Sequence, residues 1–185
     1  MLTIRPIDGL GTQRSEPMAE VSTTPTHHGG PPVPRITDPF AEPEQYFPSS
    51  ELLSAISGHG VADHPITRWC VDLVGIHRDS AAEGCDERLS AKRRADIIRD
   101  IDMWTNHHVP QHLNGSRLHT ETIGAVIDKI ARAYTRFQTE MSRHAPGDPR
   151  VHGAWHCVAE LVVAYRDLAA EVVRGQRRLP DRSSD

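Results

Sequence analysis

The sequence predicts an all-α protein, an antiparallel helical bundle of about four to five helices. Long segments carry apolar residues at helical spacing, the connections between them are short, and no stretch alternates polar with apolar residues over the length of a strand. The 185 residues are enough for one domain with a hydrophobic core. We therefore predict a helical bundle domain over 49–178, between a disordered N-terminal tail, 1–48, and a disordered C-terminal tail, 179–185.

The predicted N-terminal tail differs in composition from the rest of the chain. It contains nine of the 14 prolines and few large apolar residues. Proline removes a backbone hydrogen-bond donor and breaks helices, and a segment with little apolar surface to bury is typical of disorder. Three aromatic residues at the end of this segment, Phe40, Tyr46 and Phe47, are candidates to pack onto the folded domain.

Three helices are predicted before residue 110. A serine at position 49 or 50 caps a short helix over 51–57. A second helix begins at Pro65, a residue that the first helical turn tolerates, and runs to about residue 82. Ser90 caps a third helix, 91–107. Its predicted inner face consists of four apolar residues, Ile97, Ile98, Ile101 and Trp104.

The segment 117–141 has the most regular helical pattern in the chain. Its apolar residues recur at spacings of three and four, at Ile123, Ile127, Ile130, Tyr134, Phe137 and Met141. This spacing lines one side of an α-helix. Thr120 is the predicted N-cap, and Glu121 in the first turn complements the positive end of the helix dipole.

A second stripe runs beside the apolar face of this helix. At about 100° per residue, one narrow arc holds Glu121, Gly124, Asp128, Ala131 and Thr135. Because glycine inside a helix costs about 1 kcal/mol relative to alanine, Gly124 indicates the close approach of another backbone. Asp128 then lies at a crowded contact, where a carboxylate needs a partner. It is an ion-pair partner of an arginine on a neighbouring helix, a ligand-binding or metal-binding carboxylate, or a solvated side chain.

A last helix is predicted over 151–174. Its inner face is expected to consist of Val151, Trp155, Val158, Val162, Tyr165, Leu168 and Val172. Gly175 is the predicted residue beyond the helix C-terminus, because glycine adopts the left-handed conformation that ends many helices.

Composition excludes several classes of partner. The net charge is −4, so nucleic acid and anionic membrane surfaces are not the expected partners. No apolar run approaches the ~20 residues that a membrane span needs. Cys70, Cys85 and Cys157 are widely spaced and form no CxxC pair, which indicates reduced thiols in the cytoplasm rather than disulfides or a zinc site.

Two patterns are compatible with a bound divalent metal ion. Carboxylates from facing bundle helices can hold Mg²⁺ or Mn²⁺, and the candidates are Asp96, Asp100, Asp102, Glu121 and Asp128. His152, His156 and Glu160 recur every four residues on one helix face, as ligands of a transition metal do. Zinc peptidases carry a glutamate directly after the first histidine, and this chain has a glycine there. Chance spacing among the 12 histidines is the competing interpretation.

Three segments resemble the bacterial domain-of-unknown-function 4254 family, and the resemblance covers about residues 52–178. The segment 118–129, LHTETIGAVIDK, is similar to the family's Leu-His-Ser-Glu-Thr-Pro-Gly stretch followed by Ile-Asp-Arg. The segment 93–102, RRADIIRDID, resembles its Arg-Arg-Asn-Asp-Leu-Ile stretch, and Asp-His-Pro-Ile at 63–66 also fits. The chain departs from the family pattern at Ala95, where the family has asparagine, and at Ile123, where it has proline.

The resemblance implies a helical fold and supplies no activity. It does select positions that match the family's motifs, namely Arg94, Asp96, Asp102, His119, Glu121, Gly124 and Asp128. Among these, His119 is either an acid, a base or a ligand, or it is a second cap at the start of its helix.

Two functions stay open from the sequence. The first is an interaction or oligomerisation module, in which helix 117–141 forms a homodimer or binds a protein partner, with a ligand site around the LHTETIGAVID segment. The alternative is an Mg²⁺- or Mn²⁺-dependent hydrolase acting on a nucleotide or another phosphorylated small molecule. The absence of a GxSxG motif and of a glycine-rich phosphate loop favours the first.

Overall fold

The computed structural model describes residues 42–60, 63–81, 84–109 and 116–180, and confirms the predicted all-α class. Within these residues the chain forms six helices and two strands of two residues each. They are α1 (Pro43–Tyr46), α2 (Ser49–Ile56), α3 (Pro65–Ser80), α4 (Glu87–His108), β1 (Arg117–Leu118), α5 (Ile123–Arg143), α6 (Pro149–Val173) and β2 (Arg177–Arg178). The disorder predicted for 1–41 and 181–185, and the packing predicted for Phe40, lie outside the described residues.

Polar side chains fix where α3, α4 and α6 begin. Nδ1 of His64 accepts a hydrogen bond of 3.2 Å from the amide of Ile66 and so caps α3. Asp86 caps α4, because its Oδ1 accepts hydrogen bonds from the amides two and three residues later. The predicted cap Ser90 is therefore wrong, and lies inside the helix. Asp148 caps α6 by accepting a hydrogen bond from the amide of Arg150, and the helix begins at Pro149, two residues before its predicted start.

Helix α5 begins three residues after the predicted cap. Thr122 is the N-cap, and its hydroxyl accepts a hydrogen bond of 3.2 Å from the amide of Ala125. Thr120 does not cap the helix, because the preceding residues are extended in β1, which pairs in parallel with β2. The amide of His119 also donates to the carbonyl of Arg178. Thr122 itself is buried.

Helix α5 is the centre of the core, and it packs against α3, α4 and α6. Ile123, Ile127 and Ile130 are completely buried, and so is Ala131 of the small-residue stripe. The predicted inner face of α5 is therefore confirmed over its first three turns, from Ile123 to Tyr134. Helix α6 ends as predicted, because Gly175 follows it with a φ of +70°.

Residues on both sides of 49–178 also belong to the packed domain. Tyr46 and Phe47 are 1% exposed, and the Phe47 ring meets the ring of Tyr165 edge-on at a centroid distance of 6.3 Å. Leu179 is buried in the same core. Two aromatic residues near the end of the predicted tail thus pack onto the bundle, as the sequence suggested.

The α5–α6 hairpin continues beyond the core. Burial in α5 ends at Thr135, although the helix runs to Arg143. Met141 and Trp155 were predicted to face the core, and each is 43% exposed. The described residues that line the cleft beside them all belong to α5, to α6 or to the turn between these two helices. Among the described helices, none combines the length and the apolar character that crossing a bilayer requires.

Candidate functional site

Three helices meet at the carboxylate of Asp128. Nε2 of His77, on α3, lies 2.9 Å from Oδ1 of Asp128, on α5. Nε of Arg94, on α4, lies 3.5 Å from the same oxygen. The Asp128 side chain is only 15% exposed, so it loses most of its hydration on folding. Its two cationic or hydrogen-bonding neighbours offset that loss, as a part-buried carboxylate requires.

The geometry supports the ion-pair interpretation of Asp128 more than the others. It pairs with an arginine of a neighbouring helix, as one of the three interpretations requires, and with a histidine that the sequence did not single out. His77 follows Leu73 by one turn on the inner side of α3, so helical spacing was the available signal. Both partners contact Oδ1, and among the described residues no hydrogen bond or ion pair reaches Oδ2.

The carboxylate of Asp102, on α4, binds the first turn of α5. Its Oδ1 accepts a hydrogen bond of 2.8 Å from the amide of Gly124, and the carboxylate is 6% exposed. With Thr122 bonded to the amide of Ala125, two of the free N–H groups of the first turn are satisfied. The negative charge also complements the positive end of the α5 dipole. Asp102 therefore has a structural explanation that needs no ligand.

The other carboxylates of α4 lie on its outer side. Asp96 forms ion pairs with Arg99 at 2.7 Å and with Lys92 at 3.8 Å. Asp100 is exposed. The carboxylates of Asp96 and Asp102 therefore face different sides of α4 and do not form one site.

Glu121 and His119 are engaged locally, before α5 begins. Glu121 forms an ion pair with Lys129, and it precedes the helix instead of sharing an arc with Asp128. Nδ1 of His119 lies 2.8 Å from the carbonyl oxygen and 3.2 Å from the amide nitrogen of Glu121. This contact holds the turn that leads into α5, but it does not cap the helix, because Glu121 precedes the N-cap Thr122.

The structure does not bring His152, His156 and Glu160 of α6 together around one point. Nδ1 of His156 and a carboxylate oxygen of Glu160 are 3.4 Å apart, and both side chains are strongly exposed. His152 instead lines an apolar cleft beside Trp155. In the part of the chain that the structure describes, no three His, Cys, Asp or Glu side chains are grouped to hold a metal ion. This also leaves the carboxylate set proposed for Mg²⁺ or Mn²⁺ without a common centre.

Burial governs the titration of two groups near the core. Burial raises the pKa of the Cys70 thiol to about 12, and the nearby carboxylate of Asp128 adds to the effect. Burial lowers the pKa of His64 to about 4, with smaller contributions from the charges of Arg68 and His108. Cys70 is thus a protonated core residue and not a nucleophile, because the thiolate is the reactive form.

An exposed apolar surface on α6 was not predicted from the sequence. Helix α6 carries Trp155, Ala159 and Val163 on one line at its outer side, and we call these three residues the outer stripe. Trp155 is 43% exposed and Val163 is 48% exposed. Beside Trp155, a cleft of about 300 Å³ is lined by Phe137, Met141, Pro146, Val151, His152 and Trp155. Apolar surface of this kind marks interaction sites when it is contiguous.

Comparisons with known proteins agree with the resemblance seen in the sequence. Neither a search of the curated proteins nor a search of the solved structures found a match. The sequence model of one family, described as "Protein of unknown function (DUF4254)", matches residues 79–180. The match covers more than half of the chain and includes Arg94, Asp102, Gly124 and Asp128. The chain therefore belongs to the DUF4254 family.

Proposed function

We propose that the protein is a helical interaction module that self-associates through the outer stripe of α6. The observation that carries this proposal is the exposure of Trp155 and Val163, large apolar residues on a helix that is already packed on its other side. An amphipathic helix of a monomer presents polar residues to water. Helix α6 instead presents a second apolar line, which gains free energy when a partner covers it.

The spacing of the outer stripe supports a second copy of the chain as the partner. Trp155 and Val163 lie four residues before and four residues after Ala159. In an antiparallel pair of α6 helices centred on Ala159, Trp155 would lie opposite the partner's Val163, and the two alanines would face each other. A two-fold axis requires this kind of self-complementary surface. The small central residue lets the helices approach, and residues spaced by four form the ridges of common helix packings.

The interface proposed here differs from the one that the sequence suggested. Helix 117–141 was the predicted dimer contact, but its apolar face and its small-residue stripe are buried inside the monomer against α3, α4 and α6. Of its apolar face, the C-terminal part with Phe137 and Met141 lines the cleft beside Trp155. The rings of Phe137 and Trp155 contact each other in a tilted arrangement, at a centroid distance of 5.1 Å, which supports a fixed orientation of the indole ring.

The test is the mass of the full chain in solution, measured by sedimentation over a range of concentrations. We expect the wild type to associate as a dimer. Val163→Glu should give a monomer, because it buries a carboxylate opposite the partner's Trp155. Its matched control is Ala164→Glu, which adds the same charge at the next exposed residue, off the outer stripe, and should leave the dimer intact.

Two results would refute self-association through this surface. One is a wild type that stays monomeric at every concentration, in which case a different protein is the better candidate for the exposed stripe. The other is a dimer that Val163→Glu does not weaken. The hydrolase alternative receives no support from the described residues, because they contain no grouped set of metal ligands. Ligand binding at Arg94 and Asp128 stays a prediction.

A further inference from the structure

A groove on the α5–α6 hairpin has a different chemical character from the outer stripe. Its volume is about 520 Å³, and its walls include Arg136 on α5 and Arg150 on α6. Trp155 and Val163 do not line it. We call it the α5–α6 groove. Sites for small molecules in proteins typically have volumes of about 300–1,000 Å³, so the groove is large enough for one.

The two arginines of the groove have no carboxylate partner. Neither guanidinium forms an ion pair in the part of the chain that the structure describes. The Arg150 guanidinium contacts the His144 ring, with Nη1 3.4 Å from Nε2. The one carboxylate of the groove, Glu140, faces His144 at 3.4 Å. Two arginines and one carboxylate give the lining of the groove a formal net charge of +1, although the whole chain has a net charge of −4.

The remaining walls are small and leave room between the arginines. Ala133, Gly153, Ala154 and Cys157 line the groove beside them, and a Cβ added at Gly153 would meet no atom within 4 Å. A planar guanidinium binds two oxygens of a phosphate at once, and such charge-assisted pairs are among the strongest hydrogen bonds. Two of them in one groove suit a ligand that carries more than one anionic oxygen.

We propose that the α5–α6 groove binds a small phosphate-bearing molecule between Arg136 and Arg150. The basic surface of α5 continues beyond the groove at Arg132 and Arg143, which also lack ion pairs within the described chain. This positive field raises the local concentration of anions and increases their association rate. The site does not depend on the proposed dimer, because none of the residues that line the groove belongs to the outer stripe.

The experiment is calorimetric titration of the full chain with pyrophosphate. We expect saturable binding that weakens as the salt concentration rises. Replacing both groove arginines, Arg136→Gln with Arg150→Gln, should lower the affinity about tenfold or more, because both charge-assisted contacts are lost. Both side chains are exposed, so the variant should fold, and its circular dichroism spectrum checks this.

The control is Arg132→Gln, which removes one exposed charge from the same helix but none from the groove. It should change the affinity much less than the double variant. The proposal fails if the wild type does not bind pyrophosphate, or if the Arg132 variant loses as much affinity as the double variant. Failure here leaves the sedimentation result unaffected, and the reverse also holds.

Discussion

The amide of Gly124 donates a hydrogen bond of 2.8 Å to Oδ1 of Asp102, and this bond joins the start of α5 to the middle of α4. The approach is so close that a Cβ at residue 124 would lie 2.5 Å from the carbonyl oxygen of Ile98 and 2.8 Å from Asp102 Oδ1. Glycine is thus required for contact and not for backbone conformation, since the residue is helical.

Gly124→Ala should destabilise the protein despite the higher helix propensity of alanine. The added methyl group must displace the Ile98 carbonyl or the Asp102 carboxylate, and overpacking of this kind costs about 1–3 kcal/mol. For a chain of this size each kcal/mol corresponds to about 2–4 °C in Tm. Thermal unfolding followed by circular dichroism measures the change.

Gly75→Ala is the matched control for that substitution. Gly75 also lies inside a helix, α3, but a Cβ there would meet no atom within 4 Å. The variant should be neutral or more stable by up to about 1 kcal/mol, because alanine is the better helix former. A stable Gly124→Ala variant, or equal effects of the two changes, would contradict the close approach of α4 and α5.

The close approach at Gly124 could be predicted from the sequence, but its partner could not. Helical periodicity identifies which residues share a face, so a glycine among small residues indicates a contact on that side. It does not fix the rotation and the relative height of the opposing helix. Asp102, 22 residues earlier, is therefore assigned to capping only when the packing of α4 on α5 is known.

The ends of elements show a second limit of sequence reasoning. Ser90 and Thr120 are good capping residues, but Asp86 and Thr122 cap α4 and α5. Thr120 does not cap α5 because the pairing of β1 with β2, a contact between distant parts of the chain, holds the chain extended up to His119. Similarly, helical spacing predicted that Trp155 faces the core. Whether this side chain is covered depends on how far the neighbouring helices extend, which spacing does not reveal.

Asp128→Asn should lower the free energy of unfolding by about 1–3 kcal/mol, since it weakens a part-buried hydrogen-bonded pair with His77. Arg94→Gln should cost less than about 1 kcal/mol, because Arg94 is 45% exposed and lies 3.5 Å from the carboxylate. Urea denaturation measures both values. The order of the two effects tests whether His77 or Arg94 is the main partner of Asp128.

Asp96→Asn is the control for the aspartate change. Asp96 also forms two contacts with basic side chains, but it lies on the exposed side of α4, where ion pairs contribute little. We expect a change near zero. If Asp128→Asn were as neutral as Asp96→Asn, the carboxylate at the meeting of three helices would not be structural, and ligand binding would become its better explanation.

His64 should make the protein less stable as the pH falls through the weakly acidic range. Its ring contacts the Trp104 ring at a centroid distance of 5.0 Å, and its Nδ1 caps α3 by accepting from Ile66. Burial lowers the pKa of His64 from 6.5 to about 4, against a hydrogen bond to the backbone of Gln45. Between these values the unfolded chain binds the proton that the folded chain excludes, so stability falls as the pH decreases.

One substitution isolates the contribution of His64 to the pH dependence of stability. Above pH 6.5 the ring is neutral in both states and adds no pH dependence, whereas below it each step toward about pH 4 favours the unfolded chain. His64→Asn keeps a capping side chain but removes the titrating ring, so its stability should fall less steeply over this range.

His59→Asn, at an exposed histidine in the loop before α3, is the control. Urea denaturation at several pH values gives the slopes. Parallel wild-type and His64→Asn curves would show that the cap does not titrate with folding, because every other titrating group is common to both chains.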